Sequence, residues 1–281
     1  MQIIRNISAL KKVIRRAKAK GETVGFVPTM GALHEGHLSL MRQSRKDNDL
    51  MVVSIFVNPM QFGPKEDYKK YPRTLAEDVR RMKTVGVDIV FVPDVGQIYP
   101  EGFQSCVNIG DLADTLCGRS RPGHFKGVLT VVNKLFNIVE PDVAYFGQKD
   151  YQQALIIGQM VHDLDMNLRI KVMPIVREKD GLAMSSRNAY LSPNERSRAA
   201  GLNRALNEAK RLIRGGETSA ARITGAMKRI INWYGKSKID YIAVVEPETL
   251  SDIKTIKTRQ KVLVALAVFI GRTRLIDNIL V

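Results

Sequence analysis

Two histidines stand three residues apart in the run "PTMGALHEGHLSL", in a chain that has only four. They are His34 and His37, and Gly31 and Gly36 flank them. The run joins an apolar stretch, "TVGFV", to a helical pattern through Leu38, Leu40 and Met41, so it lies where a strand hands over to a helix. The first backbone N–H groups of a helix are unpaired, and the macrodipole adds partial positive charge there. Such a junction is an anion site. Met30, Gly31, Ala32, Leu33, His34, Glu35, Gly36 and His37 would wrap the anion, and the glycines let backbone come close to it. Two imidazoles three apart can face one anion and stabilise charge that grows in a transition state. The pair could instead hold a metal, but no third ligand or second cluster accompanies it. Two ordinary surface histidines are the remaining alternative. The loop has neither Gly-x-Gly-x-x-Gly nor Walker spacing.

Two further runs carry candidate chemistry. "FGQKDYQQ" (146–153) leaves a strand and enters a helix. Gly147 permits a tight turn, Lys149 supplies a mobile cation, and Asp150 is placed as an N-cap or as an acceptor for a ribose hydroxyl. A solvated lysine is the plain alternative. In "MSSRN" (184–188), Ser185, Ser186 and Arg187 line up two hydroxyls and a guanidinium that can hold a polyphosphate. Without context the same run reads as a polar loop. Glu77 and Asp78 in "TLAEDVRR" could reach Mg²⁺ through water, but a solvated helix face is the better reading.

The elements that must position these residues alternate along the chain. Strand-like runs fall at 23–29, 50–58, 88–94, 142–147 and 169–176, and they read as buried on both faces, as parallel strands are. Amphipathic helices fall near 38–46, 74–86, 125–139 and 151–164. The fold class is therefore α/β, a doubly wound parallel sheet, whose ligands bind beyond the carboxyl ends of the strands. The N-terminal "MQIIRNISALKKVIRRAKAK" alternates apolar and basic residues at helical spacing. After about Val176 the pattern changes. Ser192 and Glu195 form a capping box with Pro193 at the first helical position, Gly215–Gly216 ends that helix, and a second helix covers about 218–234. Three strand-like runs follow, which makes a smaller α+β domain.

Composition bounds the rest. The chain has 281 residues, 44% hydrophobic and 26% charged, as in ordinary globular proteins. No apolar run is long enough to span a bilayer, and the N-terminus lacks the apolar core of a secretory signal. Cys106 and Cys117 form neither a metal spacing nor a bridge framework, which points to free thiols in the cytoplasm. The net charge is +16. Residues 201–281 hold 15 Lys/Arg against 7 Asp/Glu, spread out rather than clustered. A solvated basic surface fits better than a nucleic-acid track, and neither a nucleic acid nor a membrane is expected as a partner.

The run His34-Glu35-Gly36-His37 resembles the His-x-Gly-His signature of nucleotidyltransferases. The longer "PTMGALHEGHLSL" is similar to the pantothenate synthetase (pantoate–β-alanine ligase) family, as are "FVNPMQF" (56–62), "YPRTL" (71–75), "FGQKDYQQ" and "MSSRN", in the family's order. The resemblance implies a Rossmann-like domain over 1–176 that binds ATP and pantoate, and a smaller domain over 177–281 that closes over the site. It implies ATP contacts from the 30–37 loop and from Gly147, Gln148, Lys149, Asp150, Val176, Met184, Ser185, Ser186 and Arg187. Val176 would pack on adenine, and "MSSRN" resembles the mobile Lys-Met-Ser-Lys-Ser loop of adenylating enzymes. Gln61 and Gln153 would hold pantoate, with Pro28, Met30 and Phe62 as apolar walls. His34, His37, Lys149 and Arg187 would balance phosphate charge, and Mg²⁺ would bridge phosphate oxygens. The implied reaction condenses pantoate with β-alanine through a pantoyl adenylate, in a homodimer joined through the N-terminal domain. The alternatives are a nucleotidyltransferase of the phosphopantetheine or nicotinate-mononucleotide type, and an RNA-binding relative of the aminoacyl-tRNA synthetases.

Overall fold

The computed structural model describes residues 1–64, 66–235 and 237–281. Two compact units emerge. The first comprises Met1–Ala113, Arg121–Gly147 and Gln153–Pro174, and the second Asp114–Ser120, Gln148–Gln152 and Ile175–Val281.

The first unit is built on β1 (Gln2–Ile4), α1 (Ile7–Ala19), β2 (Val24–Thr29), α2 (Glu35–Asp47), β3 (Leu50–Ile55), α3 (Leu75–Thr84), β4 (Ile89–Phe91) and α4 (Val95–Ile98). After α5 (Leu116–Ser120), which groups with the second unit, it resumes with α6 (His124–Val139), β5 (Val143–Gly147), α7 (Tyr151–Asp163), whose first two residues group with the second unit, and β6 (Arg169–Met173). The six strands form one parallel sheet in the order β1-β4-β3-β2-β5-β6. Period-two alternation sends successive side chains to opposite faces. Val27, Met51, Val53 and Tyr145 pack with Met41 of α2 and Met82 of α3 on one face. Phe26 points the other way and meets Phe136 of α6 edge-on, with ring centroids 6.3 Å apart. The doubly wound class expected from the alternation is the fold observed.

Three features differ from the sequence reading. The chain opens with a strand, β1, before the helical pattern begins, and Asn6 caps α1 by accepting from the Ser8 and Ala9 N–H groups at 2.9 and 3.2 Å. Three residues are too few to show a period. β6 is not buried on both faces: it is one of the sheet's two outer strands, and Arg169 and Val172 are exposed. β3 stops at Ile55, because Asn58 accepts from the Met60 N–H and starts a 3₁₀ turn at Pro59.

The second unit adds α8 (Pro193–Arg214), α9 (Ala220–Trp233), β7 (Lys238–Val245), β8 (Leu263–Ile270) and β9 (Thr273–Leu280). The strands form an antiparallel sheet in the order β7-β8-β9. Leu202 and Leu206 of α8 and Ile223 and Met227 of α9 share a core with Val264, Leu266 and Val268 of the central strand. α8 starts with the expected box: Ser192 accepts from the Glu195 N–H, and Glu195 reaches back to the Ser192 N–H at 2.9 Å. Among the described residues, no helix is long and apolar enough to cross a membrane.

Candidate active site

The turn after β2 is tightly constrained. Gly31 and Ala32 both take left-handed backbone, φ +82° and +50°. The Thr29 hydroxyl donates to the Ser54 carbonyl at 2.7 Å and accepts from the Gly31 N–H at 3.2 Å. His34 is the N-cap of α2, and His37 lies in its first turn. The two rings stack obliquely, with centroids 4.1 Å apart. His34 Nδ1 accepts from the Gly36 N–H at 3.2 Å, and His37 Nδ1 accepts from the His34 N–H at 3.3 Å. An accepting Nδ1 has no proton, so each neutral ring carries its proton on Nε2 and is a donor there. The two histidines thus form a capping box from imidazoles. Glu35 shares this turn, but its carboxylate is held by Arg42, which keeps it below the usual carboxylate range.

Asp78 corrects the sequence reading of a solvated face. It is 1% exposed. Its carboxylate accepts from the Leu33 N–H at 2.7 Å, the Ala32 N–H at 3.0 Å and the Thr74 hydroxyl at 3.2 Å. A buried carboxylate needs such donors to offset its lost hydration. From the same helix, Arg81 donates to the Leu33 carbonyl at 2.8 Å and is itself held by Glu77 at 3.0 Å. α3 therefore clamps the loop that delivers His34. The signal was present in the sequence: Asp78 shares the apolar stripe of Leu75, Val79 and Met82, where a solvated charge does not belong.

Gln61 Nε2 lies 3.2 Å from the Met30 sulfur. The surrounding network went unread. Asn58, 1% exposed, donates to Gln61 Oε1 at 3.1 Å and to the Gly127 carbonyl at 3.0 Å, and accepts from the Tyr99 hydroxyl at 2.7 Å. The Gln61 carbonyl accepts from His124 Nδ1 at 2.8 Å. His124 Nε2 lies 2.9 Å from Arg121, which can only donate, so neutral His124 carries its proton on Nδ1. Glu66 holds Arg121 through two bonds of 2.6 and 2.7 Å. Burial pushes Glu66 up, but the hydrogen bonds and charge of Arg121 outweigh it and hold its carboxyl below the usual range. Phe62 packs against Tyr68 and Tyr71. Gln153 sits half-buried in the first turn of α7.

Within the second unit, Gln148–Asp150 is a 3₁₀ turn that leads into α7. Lys149 Nζ is 3.5 Å from Asp150. Val176 and Met184 are joined by a hairpin: the Met184 N–H donates to the Val176 carbonyl at 3.0 Å, and Arg177 bridges to Ala183. Ser185 caps the next 3₁₀ turn, its hydroxyl accepting from the Arg187 N–H at 3.3 Å. Val176, Met184, Ser185, Ser186 and Arg187 are therefore neighbours, as are Gln148, Lys149 and Asp150. Among the described residues, no group of three His, Cys, Asp or Glu side chains is placed to hold a metal. Within the first unit Asp78 is engaged by the loop and Glu77 by arginines; within the second, Asp150 lies beside Lys149.

Comparison with known proteins bears on this arrangement. A sequence model of the pantoate-beta-alanine ligase family matches residues 2–280. The pantothenate synthetase of Acetivibrio thermocellus is 55% identical over 100% of this chain and 99% of its own. That of Caldicellulosiruptor saccharolyticus is 54% identical with the same coverage. The crystal structure of pantothenate synthetase from Thermus thermophilus superposes with a TM-score of 0.93 at 43% identity, over 99% of each chain. The Francisella tularensis ligase, solved with beta-gamma ATP and beta-alanine, matches 100% of this chain and 97% of its own, at 36% identity and a TM-score of 0.80. Sequence likeness runs from one end of the chain to the other and the same backbone underlies it, so the chain belongs to the pantoate–β-alanine ligase family.

Proposed function

We propose that this chain, an ATP-dependent ligase that forms pantothenate from pantoate and β-alanine, works through an acyl adenylate. A carboxylate cannot acylate an amine at neutral pH, because its leaving group would be oxide. In the first step a pantoate carboxylate oxygen attacks the α-phosphorus of ATP in line. The bond from that phosphorus to the bridging oxygen breaks, and pyrophosphate leaves. In the second step the neutral β-alanine amine attacks the pantoyl carbonyl carbon, the acyl–phosphate bond breaks, AMP leaves with the electron pair, and the nitrogen gives up a proton to solvent as the amide forms. The protein positions the reactants and stabilises charge, with no covalent enzyme intermediate.

His34 and His37 donate from Nε2 to the phosphates, and Lys149 and Arg187 follow the charge as it moves to pyrophosphate. The backbone of Met30 to His37 and of Gly147 to Asp150, with Val176 and Met184 to Arg187, makes the remaining nucleotide contacts. Gln61 and Gln153 bond pantoate; a neutral amide holds a carboxylate without blunting it as a nucleophile. Mg²⁺ enters with ATP as part of the substrate, since the acids near the loop already have partners. Nucleotide and acid binding by residues 1–176, a homodimer formed through that part of the chain, and a cytoplasmic setting for the two free cysteines belong to the same reading.

The observation that supports this reading most is the imidazole capping box, which turns both rings into Nε2 donors at a helix N-terminus. The test is ATP–pyrophosphate exchange with and without pantoate, together with mass-spectrometric detection of pantoyl adenylate when β-alanine is withheld. Exchange that needs pantoate supports the reading. Exchange independent of pantoate favours a nucleotidyltransferase that stops at the nucleotidyl product. His37→Ala should slow pyrophosphate release at least about a hundredfold, and a near-normal rate would remove that role.

A further inference from the structure

We propose that Asn278 and Asp277, adjacent on the last strand β9, are positioning residues for the turn that carries Lys149 and for the hairpin that leads to Arg187. The inference rests on the adenylation reading of those two cations.

The Asn278 side chain is 3% exposed, and both of its ends are used. Its Nδ2 donates to the Gln148 carbonyl at 2.9 Å and to the Lys149 carbonyl at 3.0 Å, and its Oδ1 accepts from Gln148 Nε2 at 3.3 Å. The Gln148–Asp150 turn is a single short 3₁₀ turn, whose own hydrogen bonds have poorer geometry than those of an α-helix. The carboxamide braces two of its carbonyls from outside.

Asp277 ties in the second segment. Its side chain is fully buried and receives two bonds from Arg177, at 2.7 and 3.0 Å. It also accepts from the Asn278 backbone N–H at 2.8 Å, which ties its carboxylate to the main chain that carries the Asn278 carboxamide. Arg177 donates onward to the Gly181 carbonyl at 3.0 Å. That closes the hairpin whose far strand leads into Met184, Ser185 and Arg187. One dipeptide thus pins both segments. A buried ion pair adds little stability over apolar packing of similar volume. What the polar pair adds is fixed geometry for loops that would otherwise be adjustable, and an ångström of misplacement is enough to cost a large factor in rate.

The test uses the full chain in pantoate-dependent ATP–pyrophosphate exchange. Asn278→Asp keeps the shape but sets a carboxylate oxygen against two carbonyls. The expected result is a loss in kcat of about tenfold to a hundredfold, with the pantoate KM almost unchanged. The same substitution added to Lys149→Ala should cost little more, because the turn no longer presents an ammonium. Asn278→Ser keeps one donor and should lie between wild type and Asn278→Asp; it carries the test if Asn278→Asp does not fold. A wild-type kcat in either variant overturns the inference, as does an equal loss with and without Lys149. Wild-type protein without pantoate-dependent exchange, or Lys149→Ala with full exchange, would instead remove the adenylation reading and the inference with it.

Discussion

Asp78 is the sharpest place to test how the loop before α2 is held. Asp78→Ala takes the acceptor away from the Ala32 and Leu33 N–H groups and from the Thr74 hydroxyl. A buried donor left without a partner costs about 1–3 kcal/mol. Leu33 is 4% exposed, so its N–H stays orphaned, whereas Ala32 is half-buried and water can reach it. One full penalty and part of a second give a loss of about 2–4 kcal/mol. That is a large share of the roughly 5–15 kcal/mol that holds a typical protein folded. At about 2–4 °C per kcal/mol for proteins approaching this size, the midpoint should fall by about 4–16 °C. Asp78→Asn, nearly the same shape, keeps one acceptor but turns an NH₂ toward the other donors, and should fall between wild type and Asp78→Ala. Function should suffer more than stability. Gly31 and Ala32 hold left-handed backbone beside this carboxylate, and relaxation there moves His34. A shift of about 1 Å costs about a hundredfold in rate. The assays are thermal unfolding and pantoate-dependent exchange on the same preparations. Exchange within about twofold of wild type, or a midpoint moved by less than about 1 °C, would refute the clamp.

Three further outcomes follow from the same geometry. Gly127→Ala would put a Cβ 2.7 Å from the Gln61 backbone nitrogen and nearer still to the Met60 carbonyl, where no side chain can swing aside; it should destabilise by about 1–3 kcal/mol or more in urea titration, and an unchanged midpoint would contradict the packing. Glu66 is held below its ordinary pKa by Arg121, so its contribution is complete above about pH 4.5 and is lost as pH falls through the lower, folded value. Wild type should therefore exceed Glu66→Gln in stability near neutrality, with the gap closing as the solution is acidified; a gap that widens in acid would reverse the sign. His124→Phe removes the donor to the Gln61 carbonyl and should raise the pantoate KM several-fold while kcat for exchange changes little, whereas a fall in kcat alone would rule out positioning through Gln61.

The legible part of this protein was the part written in local pattern. Strand and helix runs announced the doubly wound sheet, the Ser192–Glu195 box announced the start of α8, and the strand-to-helix junction marked the loop of His34 and His37. These follow from periodicity, capping and turn chemistry, which act over a few residues and are visible in one dimension. Even so, a three-residue β1 carried no period, and the outer place of β6 depends on which strands flank it rather than on its own residues.

The supports of the site were of another kind. Asp78 lies 45 residues from the Leu33 amide that it holds, and Asn278 lies 130 from Gln148. In sequence they were odd polar residues on apolar faces, Asp78 in a helical stripe and Asn278 in register with Ile276 and Leu280. Alternation and spacing can mark such a residue as misplaced but cannot name its partner, because a buried polar group is satisfied by whatever donor the folded chain brings near. The sequence by itself determined which residues have the chemistry to act on a phosphate. Only the tertiary structure decided which nitrogen of each imidazole carries the proton and which distant carboxylate or amide holds each loop still, since those depend on hydrogen-bond partners that meet only when the chain has closed on itself.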